Sequence, residues 1–459
     1  MSNRLKINDL RYGVRFISIF AMFFILYYSI LTSKGIYESE RVYLTNSIIV
    51  FYSLLNIFLD EDKSFSARKF FYLFILLFMG IAPLMQFKQG TQTVGGYDIK
   101  ESSYYITNIL LIIALITFDV SYFISWKRLR INNFSEKYPS KDDITEPLRY
   151  KKIILLISII SCLTTLYTYK DNYLLLIFRG INGIETDEFI GAMRYLGPIN
   201  GGIIRPLTVV CFINYMCMGS DKRYKILLFL LLIISNFPTG LSRLRLAAYY
   251  IPCLIVFFPK IKYRNKFILL FLLGFLLVFP FMNNFRTWGE GDFKWLNLNY
   301  TIFCDMNYDS YQSFAFVVQN DIIKYGKQLL VVLFFWMPRA IWIDKPYFSG
   351  MTVAEENGLW YHQISMNYFG EGYINFGIIG VLIFSVFLGY ITAFFDKRFW
   401  IYNHGSLHSM YAPFFLFFIG MYFFFMRGDL MYGFEYTACL LLSNYLVYKI
   451  SYKIINKHS

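Results

Sequence analysis

The sequence predicts an all-α, polytopic integral membrane protein with about twelve transmembrane helices and a large external loop, and three observations predict it. Hydrophobic residues make up 57% of the 459 residues and charged residues only 16%, against roughly 25% charged in an ordinary soluble domain. The apolar residues are blocked into runs of the length needed to cross roughly 30 Å of hydrocarbon. Lys and Arg crowd into a few of the connections between those runs.

The chain opens on an apolar run from Val14 to Leu31. It continues at spanning length and lacks a small-residue cleavage site, so it reads as a first span and not as a removable signal. The further candidate spans are Val42 to Leu59, Phe70 to Phe87, Tyr104 to Trp126, Ile153 to Tyr169, Gly201 to Met218, Ile226 to Pro238, Leu241 to Phe258, Phe267 to Met282, Phe376 to Phe395, Met410 to Met426 and Met431 to Ile450. The seventh and eighth are short and interrupted by Pro238, Gly240 and Pro252, and interrupted spans often line a site. No internal repeat is visible, which disfavours transporter folds built from two similar halves.

Charge orients the chain. Lys127, Arg128, Arg130, Lys137, Lys141, Arg149, Lys151 and Lys152 crowd one connection, and Lys260, Lys262, Arg264 and Lys266 another. The positive-inside rule makes both cytoplasmic, and an even number of spans then puts both termini there. Two long segments face the other side, residues 170–200 and 283–375. Loops that long are uncommon and usually functional. Within the second, Leu329 to Trp336 is apolar but too short to cross, and reads as a re-entrant or surface-lying helix.

The net charge of +14 is explained by this topology and by anionic headgroups, so membrane lipids are expected as partners and nucleic acid is not. Five of the six cysteines lie in apolar runs, leaving Cys304 alone in a polar segment, which makes no disulfide framework. CxxC and HExxH motifs do not occur and the four histidines are scattered, so neither a structural metal nor a cofactor is expected.

The outer loops and outer span ends collect arginines: Arg179, Arg194, Arg205, Arg243, Arg245, Arg286, Arg339 and Arg427. Arginine grips phosphate with a planar fork and never loses its charge, although each of these could equally anchor to headgroups or cap a helix. Arg205, inside a span, and Arg339, behind an apolar run ending in Pro338, are functional candidates by position. Arg243 and Arg245 point roughly 200° apart on a helix, so one of them is expected to face a site. Glu435 reads most simply as the partner of Arg427, and Asp119 as a structural residue.

His362 is the one histidine on the outer face, and Glu371 follows it. Either could take a proton: histidine side chains in general suit general-base work near neutral pH, whereas a glutamate would need burial to raise its own value. Asp60-Glu61-Asp62 reads as a solvated turn. Glu38 and Glu40, paired acids in the first external loop, keep open a metal-dependent glycosyltransferase that uses lipid-phosphate sugars. Trp288, Trp295, Trp342, Trp360 and their tyrosine neighbours could stack on sugars, but a membrane-surface aromatic belt predicts the same enrichment.

Asn367-Tyr-Phe-Gly370-Glu371-Gly-Tyr-Ile-Asn375-Phe376-Gly377 resembles the Gly-Glu-Xaa-Tyr-Xaa-Asn-Phe-Gly signature of the O-antigen polymerase family, the Wzy-type polymerases of oligosaccharide repeat units. Pro338-Arg339-Ala-Ile-Trp342-Ile-Asp344-Lys345-Pro346, the Pro238-Thr-Gly240-Leu-Ser-Arg243 junction and Arg427-Gly428-Asp429-Leu430 are similar as well, and Arg339 with Gly350 stands at the Arg-x10-Gly spacing described for such loops. The likeness covers specific residues only between Pro238 and Leu430. No Arg-x10-Gly follows Arg179 or Arg194, which leaves the first large loop without that support.

The resemblance implies a GT-C-like enzyme of the bacterial inner membrane that transfers a growing glycan from undecaprenyl diphosphate to the terminal sugar of another lipid-linked repeat unit, with a chain-length regulator as partner. It implies Arg243 and Arg339 at the diphosphate, Arg205, Arg245, Arg286, Arg427 and Lys345 in support, and His362 or Glu371 as base. A lipid-linked oligosaccharide flippase is the non-enzymatic alternative. The concentration of charge at one end, in place of a central charged cavity, favours an enzyme.

Overall fold

The computed structural model describes residues 27–59, 63–96, 98–130, 148–170, 172–178, 200–262, 265–278 and 300–455, with residues 21, 24, 25 and 281. Among them the chain is helical and has no strand. Six helices are long and apolar enough to cross a membrane. Five come first in the chain: α1 (Glu40–Leu59), α2 (Ala67–Gln89), α3 (Glu101–Arg128), α4 (Leu148–Thr168) and α5 (Asn200–Met218). Shorter helices follow: α6 (Lys222–Ser235), α7 (Arg243–Phe257), α8 (Lys266–Leu273), α9 (Ser310–Gln319), α10 (Lys327–Leu333) and α11 (Ser349–Glu356). The sixth spanning helix is α12 (Tyr368–Lys397), after which α13 (Ala412–Arg427) and α14 (Leu430–Ile455) close the fold.

The expected first span falls largely outside the described residues, and a helix lies at each of the other eleven. Yet α6, α7 and α13 have only 14, 15 and 16 residues. At about 1.5 Å per residue, each falls short of the hydrocarbon thickness.

Helix α2 is the axis of the fold, and every residue from 67 to 88 is buried. Helices α1, α12 and α13 pack on it, α3 lies along α12, and α4, α5 and α6 form a neighbouring group joined through α14. The outer surfaces are apolar. Ile113, Ile116, Val120 and Phe123 of α3, and Ile379, Ile383, Val386 and Phe387 of α12, are exposed, which is how a chain solvated by lipid differs from one solvated by water.

One network of buried charge lies at the start of α2. Arg68 pairs with Asp119 at 2.8 Å and donates to Asn56, while the Tyr72 hydroxyl donates to Asp119 at 2.7 Å. Asp396 accepts from the backbone N–H of Ala67 (2.7 Å) and Arg68 (3.1 Å), satisfying donors that the first helical turn leaves open. Asp119 therefore has the structural place expected of it.

The signature before α12 makes a sharp turn. Asn367 caps the helix by accepting from the N–H groups of Phe369 and Gly370. Nine residues on, Phe376 and Gly377 leave the helix, Gly377 with φ 61° and ψ −145°, a conformation essentially restricted to glycine. The segment 368–375 then folds back along the rest of α12: a Cβ on Gly380 would lie 1.9 Å from the carbonyl oxygen of Gly372, and the Tyr368 hydroxyl donates to the carbonyl of Phe384. In a straight helix those last two residues would stand about 24 Å apart. Asn375 holds the turn by accepting from the N–H of Leu329 at the start of α10.

Candidate active site

The polar sites collect at one end of the bundle, where α7, α13 and α14 meet the segment between α8 and α12. Helix α7 is positioned by the Pro238–Gly240 turn. A Cβ on Gly240 would lie 1.9 Å from the carbonyl oxygen of Leu176, so only glycine lets this turn seat against Tyr173–Leu176. Ser242 caps α7, and Arg243 and Arg245 occupy its first turn with no acidic residue beside them. Two cations at a helix N-terminus oppose the helix dipole by roughly 0.3–1 kcal/mol each. They are placed against local preference.

Both arginines face cavities, on different sides of the helix. Arg243 stands with Arg427, Asp305 and Asn307 at the polar end of a 330 Å³ groove whose walls are otherwise apolar, among them Tyr250, Leu254, Phe271, Phe275 and Phe423. Arg243 and Arg427 also line a 210 Å³ cavity with Asp309, Gln363 and Ser365. Arg245 opens instead on an 860 Å³ cavity, which it shares with Arg205, Arg339, Lys345, His362 and Asp429. The two side chains diverge, as their spacing on a helix predicts. Arg243 lines the groove and the 210 Å³ cavity, and Arg245 the 860 Å³ cavity.

Among family models, curated proteins and solved structures, none matches the chain.

Arg427 pairs with Asp309 at 3.2 Å, and not with Glu435 as sequence proximity implies. Asp309 is 3% exposed and also accepts from the N–H of Ser365 at 2.9 Å. Burial pushes its carboxyl above the ordinary value while Arg427 pulls it back. Glu435 interacts with Lys345 and Arg245.

Arg339 does not point an open fork at the cavity. It donates to the carbonyls of Lys345 (2.6 Å) and Pro346 (3.4 Å) and lies 4.2 Å from the ring centre of Tyr347. Lys345 is similarly occupied, its Nζ donating to the carbonyls of Phe335 (2.8 Å) and Met337 (2.9 Å) just beyond α10. Burial and the neighbouring Arg339 hold its ammonium below the ordinary range. The substrate roles expected of these two are therefore accompanied by a structural one, as clasps of the 334–347 loop.

Of the two expected bases, His362 lines the large cavity with its side chain 46% exposed, and its Nδ1 lies 4.0 Å from Oε1 of Glu355. Glu371 lines none of the three cavities. It is 1% exposed, accepts from Ser349 Oγ (2.6 Å) and the N–H of Leu430 (2.9 Å), and contacts Asp429. Asp429 accepts from the N–H of Gly350 at 2.7 Å, and burial together with the Glu371 carboxylate pushes its carboxyl well above the ordinary range. Glu371 and Asp429 thereby tie the starts of α11, α12 and α14 together. Asp309 and Glu355 carry no signal in sequence, and Asp429 stands in the Arg427–Leu430 motif without a role assigned to it, because their partners are distant along the chain.

Arg286, Arg179, Arg194 and the Asp60-Glu61-Asp62 turn lie outside the described residues. Glu38 and Glu40 are exposed at the start of α1, and no group of three metal-binding side chains forms among the described residues.

Proposed function

We propose that the protein joins undecaprenyl-diphosphate-linked oligosaccharide repeat units into an O-antigen or similar surface polysaccharide. One observation carries this reading: Arg243 and Arg427 stand where an apolar groove between helices meets polar cavities. A substrate suited to that junction has a hydrocarbon tail, an anionic head and a polar extension. A lipid-diphosphate saccharide has all three.

In this reaction the acceptor hydroxyl attacks the anomeric carbon as its bond to the diphosphate oxygen breaks. The hydroxyl proton passes to a base, and the diphosphate leaves with added negative charge. Arg243 and Arg427 meet that charge in a partly dry site, where fixed cations act most strongly. His362 is the favoured base: it lines the 860 Å³ cavity, which shares Gln363 and Ser365 with the 210 Å³ cavity of Arg243 and Arg427, and Glu355 lies 4.0 Å from its Nδ1. Glu371 supports the wall behind it.

The arrangement proposed with this function is GT-C-like, with twelve crossings of the bacterial inner membrane, both termini cytoplasmic, the arginine cavities facing the periplasm and a chain-length regulator as partner. The test is purified protein incubated with one defined lipid-linked repeat unit. A ladder of products is expected. Unchanged units that merely move between leaflets of a vesicle would make the protein a flippase.

A further inference from the structure

The arginines at the outer end form two separate groups, divided by α7. The Arg243 group belongs to the groove just described. The other group, Arg205 and Arg245, lines the 860 Å³ cavity. Arg205 is 3% exposed. It sits where the π-helical turn Asn200–Ile204 gives way to the helix resuming at Leu207, so the break in α5 turns its side chain toward α6 and the cavity. Its Nε donates to the carbonyl of Ser235 at 3.1 Å and its Nη1 to the Tyr169 hydroxyl at 3.0 Å. Its Nη2 is buried and has no hydrogen-bond partner among the described residues. A buried guanidinium nitrogen left without an acceptor is costly unless something else supplies one.

Arg245 comes to the same cavity from the opposite side, donating to the Tyr436 hydroxyl at 2.7 Å with its guanidinium 4.9 Å from that ring's centre. Two guanidinium groups, each braced by a tyrosine, thus share one space. Arg339 and Lys345 add positive charge to the wall while their own donors are taken up by backbone carbonyls. Asp429 is the one carboxylate among the described lining residues, and Glu435 interacts with Arg245 and Lys345 from beside them. The volume, 860 Å³, lies in the range of about 300–1,000 Å³ typical of small-molecule sites.

We propose that Arg205 and Arg245 form a second oxyanion site, distinct from the Arg243–Arg427 site, which holds an acidic group carried on the saccharide itself: a sugar phosphate or a uronate. Tyr169 and Tyr436 brace the two arginines, and the tyrosine and phenylalanine faces at 347, 348 and 432 give the sugar ring surfaces to lie against. The inference rests on the proposed polymerase reading for the identity of the saccharide, but the anion site follows from the geometry alone. It also implies a substrate bias. Repeat units bearing an acidic sugar are held at two points, neutral ones at one.

The experiment uses the full chain in lipid nanodiscs, with glucose 1-phosphate, glucuronate and glucose as soluble probes and undecaprenyl diphosphate as the lipid probe. Binding of at least one of the two acidic probes, and not of glucose, is expected, and the preferred one identifies the acid. Arg245→Gln and Arg205→Lys should each weaken that probe about tenfold or more while leaving the lipid probe bound. Arg243→Gln should do the reverse. Arg205→Lys keeps the charge and can still donate to Ser235, which guards against simple unfolding. Competition of the acidic probe with undecaprenyl diphosphate for one site, or acidic-probe binding indifferent to both Arg205→Lys and Arg245→Gln, would overturn the inference. Acidic-probe binding that behaves as expected in a protein that makes no ladder would sink the polymerase reading and leave the second site standing.

Discussion

Nη2 of Arg427 lies 3.2 Å from Oδ1 of Asp309 at the wall between the groove and the cavities. The two residues are 118 positions apart, so the pair ties the end of α13 to the loop before α9. Removing one partner strands the other. Arg427→Ala should lower stability by about 3–5 kcal/mol, and Asp309→Asn by a similar amount, whereas the combined Arg427→Gln/Asp309→Asn protein should recover much of the loss. Thermal unfolding in detergent measures all three. Strict additivity would mean the pair is not coupled.

Asp429 makes folding depend on pH. Its carboxyl titrates well above the ordinary value of 3.8 in the folded protein, so the folded state holds a proton that the unfolded state releases. Its contribution is fully present below the unfolded value and is lost as pH rises toward the folded one. The unfolding midpoint should therefore fall as pH rises from about 4. Asp429→Asn, which keeps an acceptor for Gly350 and cannot ionise, should flatten that slope. An unchanged slope would remove Asp429 from this role.

The fold-back at the start of α12 has a steric test. Gly380→Ala puts a methyl group 1.9 Å from a backbone oxygen, where the neighbour cannot rotate away, and should cost about 3 kcal/mol or more. Gly274→Ala meets nothing within 4 Å and serves as the control. Yield of monodisperse protein in detergent should drop sharply for the first and stay unchanged for the second.

If the proposed reaction is right, Arg243→Ala should slow polymerisation roughly tenfold to a hundredfold, with only partial recovery by Lys, since the fork and not the charge alone is lost. His362→Ala should lose about 10²- to 10⁴-fold in kcat with substrate binding nearly intact. Glu371→Gln should act chiefly on stability. A chelator should leave the rate unchanged, and loss of activity that a divalent ion restores, together with an inactive Glu38→Gln, would favour the metal-dependent alternative.

Much of the bundle was legible because apolar runs of spanning length are a direct print of the bilayer, and helices lie where those runs predict. The divergence of Arg243 and Arg245 was legible too, as a matter of helical angle. Their two destinations were not. Glu435 was misread as the partner of Arg427 because sequence reasoning favours neighbours, while Asp309 reaches Arg427 through the fold of a loop. Glu371 stood out in a recognisable motif, yet the feature that removes it from the cavity, the turn at Phe376–Gly377, depends on contacts with Gly380 and Leu329 that no local pattern announces.

The burial of α2 on all sides sets a problem of timing. Ribosomes deliver residues 67–89 to the membrane long before Asp396, which accepts the first N–H groups of that helix from more than three hundred residues further along the chain. Until then the segment that ends up wholly enclosed by protein has lipid for company, with Arg68 and Lys69 at its entry end, where they can stay among headgroups. Its sequence must therefore suit two solvents in succession. That double demand accounts for a helix rich enough in Phe, Leu and Ile to insert unaided, yet carrying two cations, Arg68 and Lys69, whose partners Asp119 and Asn265 come later in the chain.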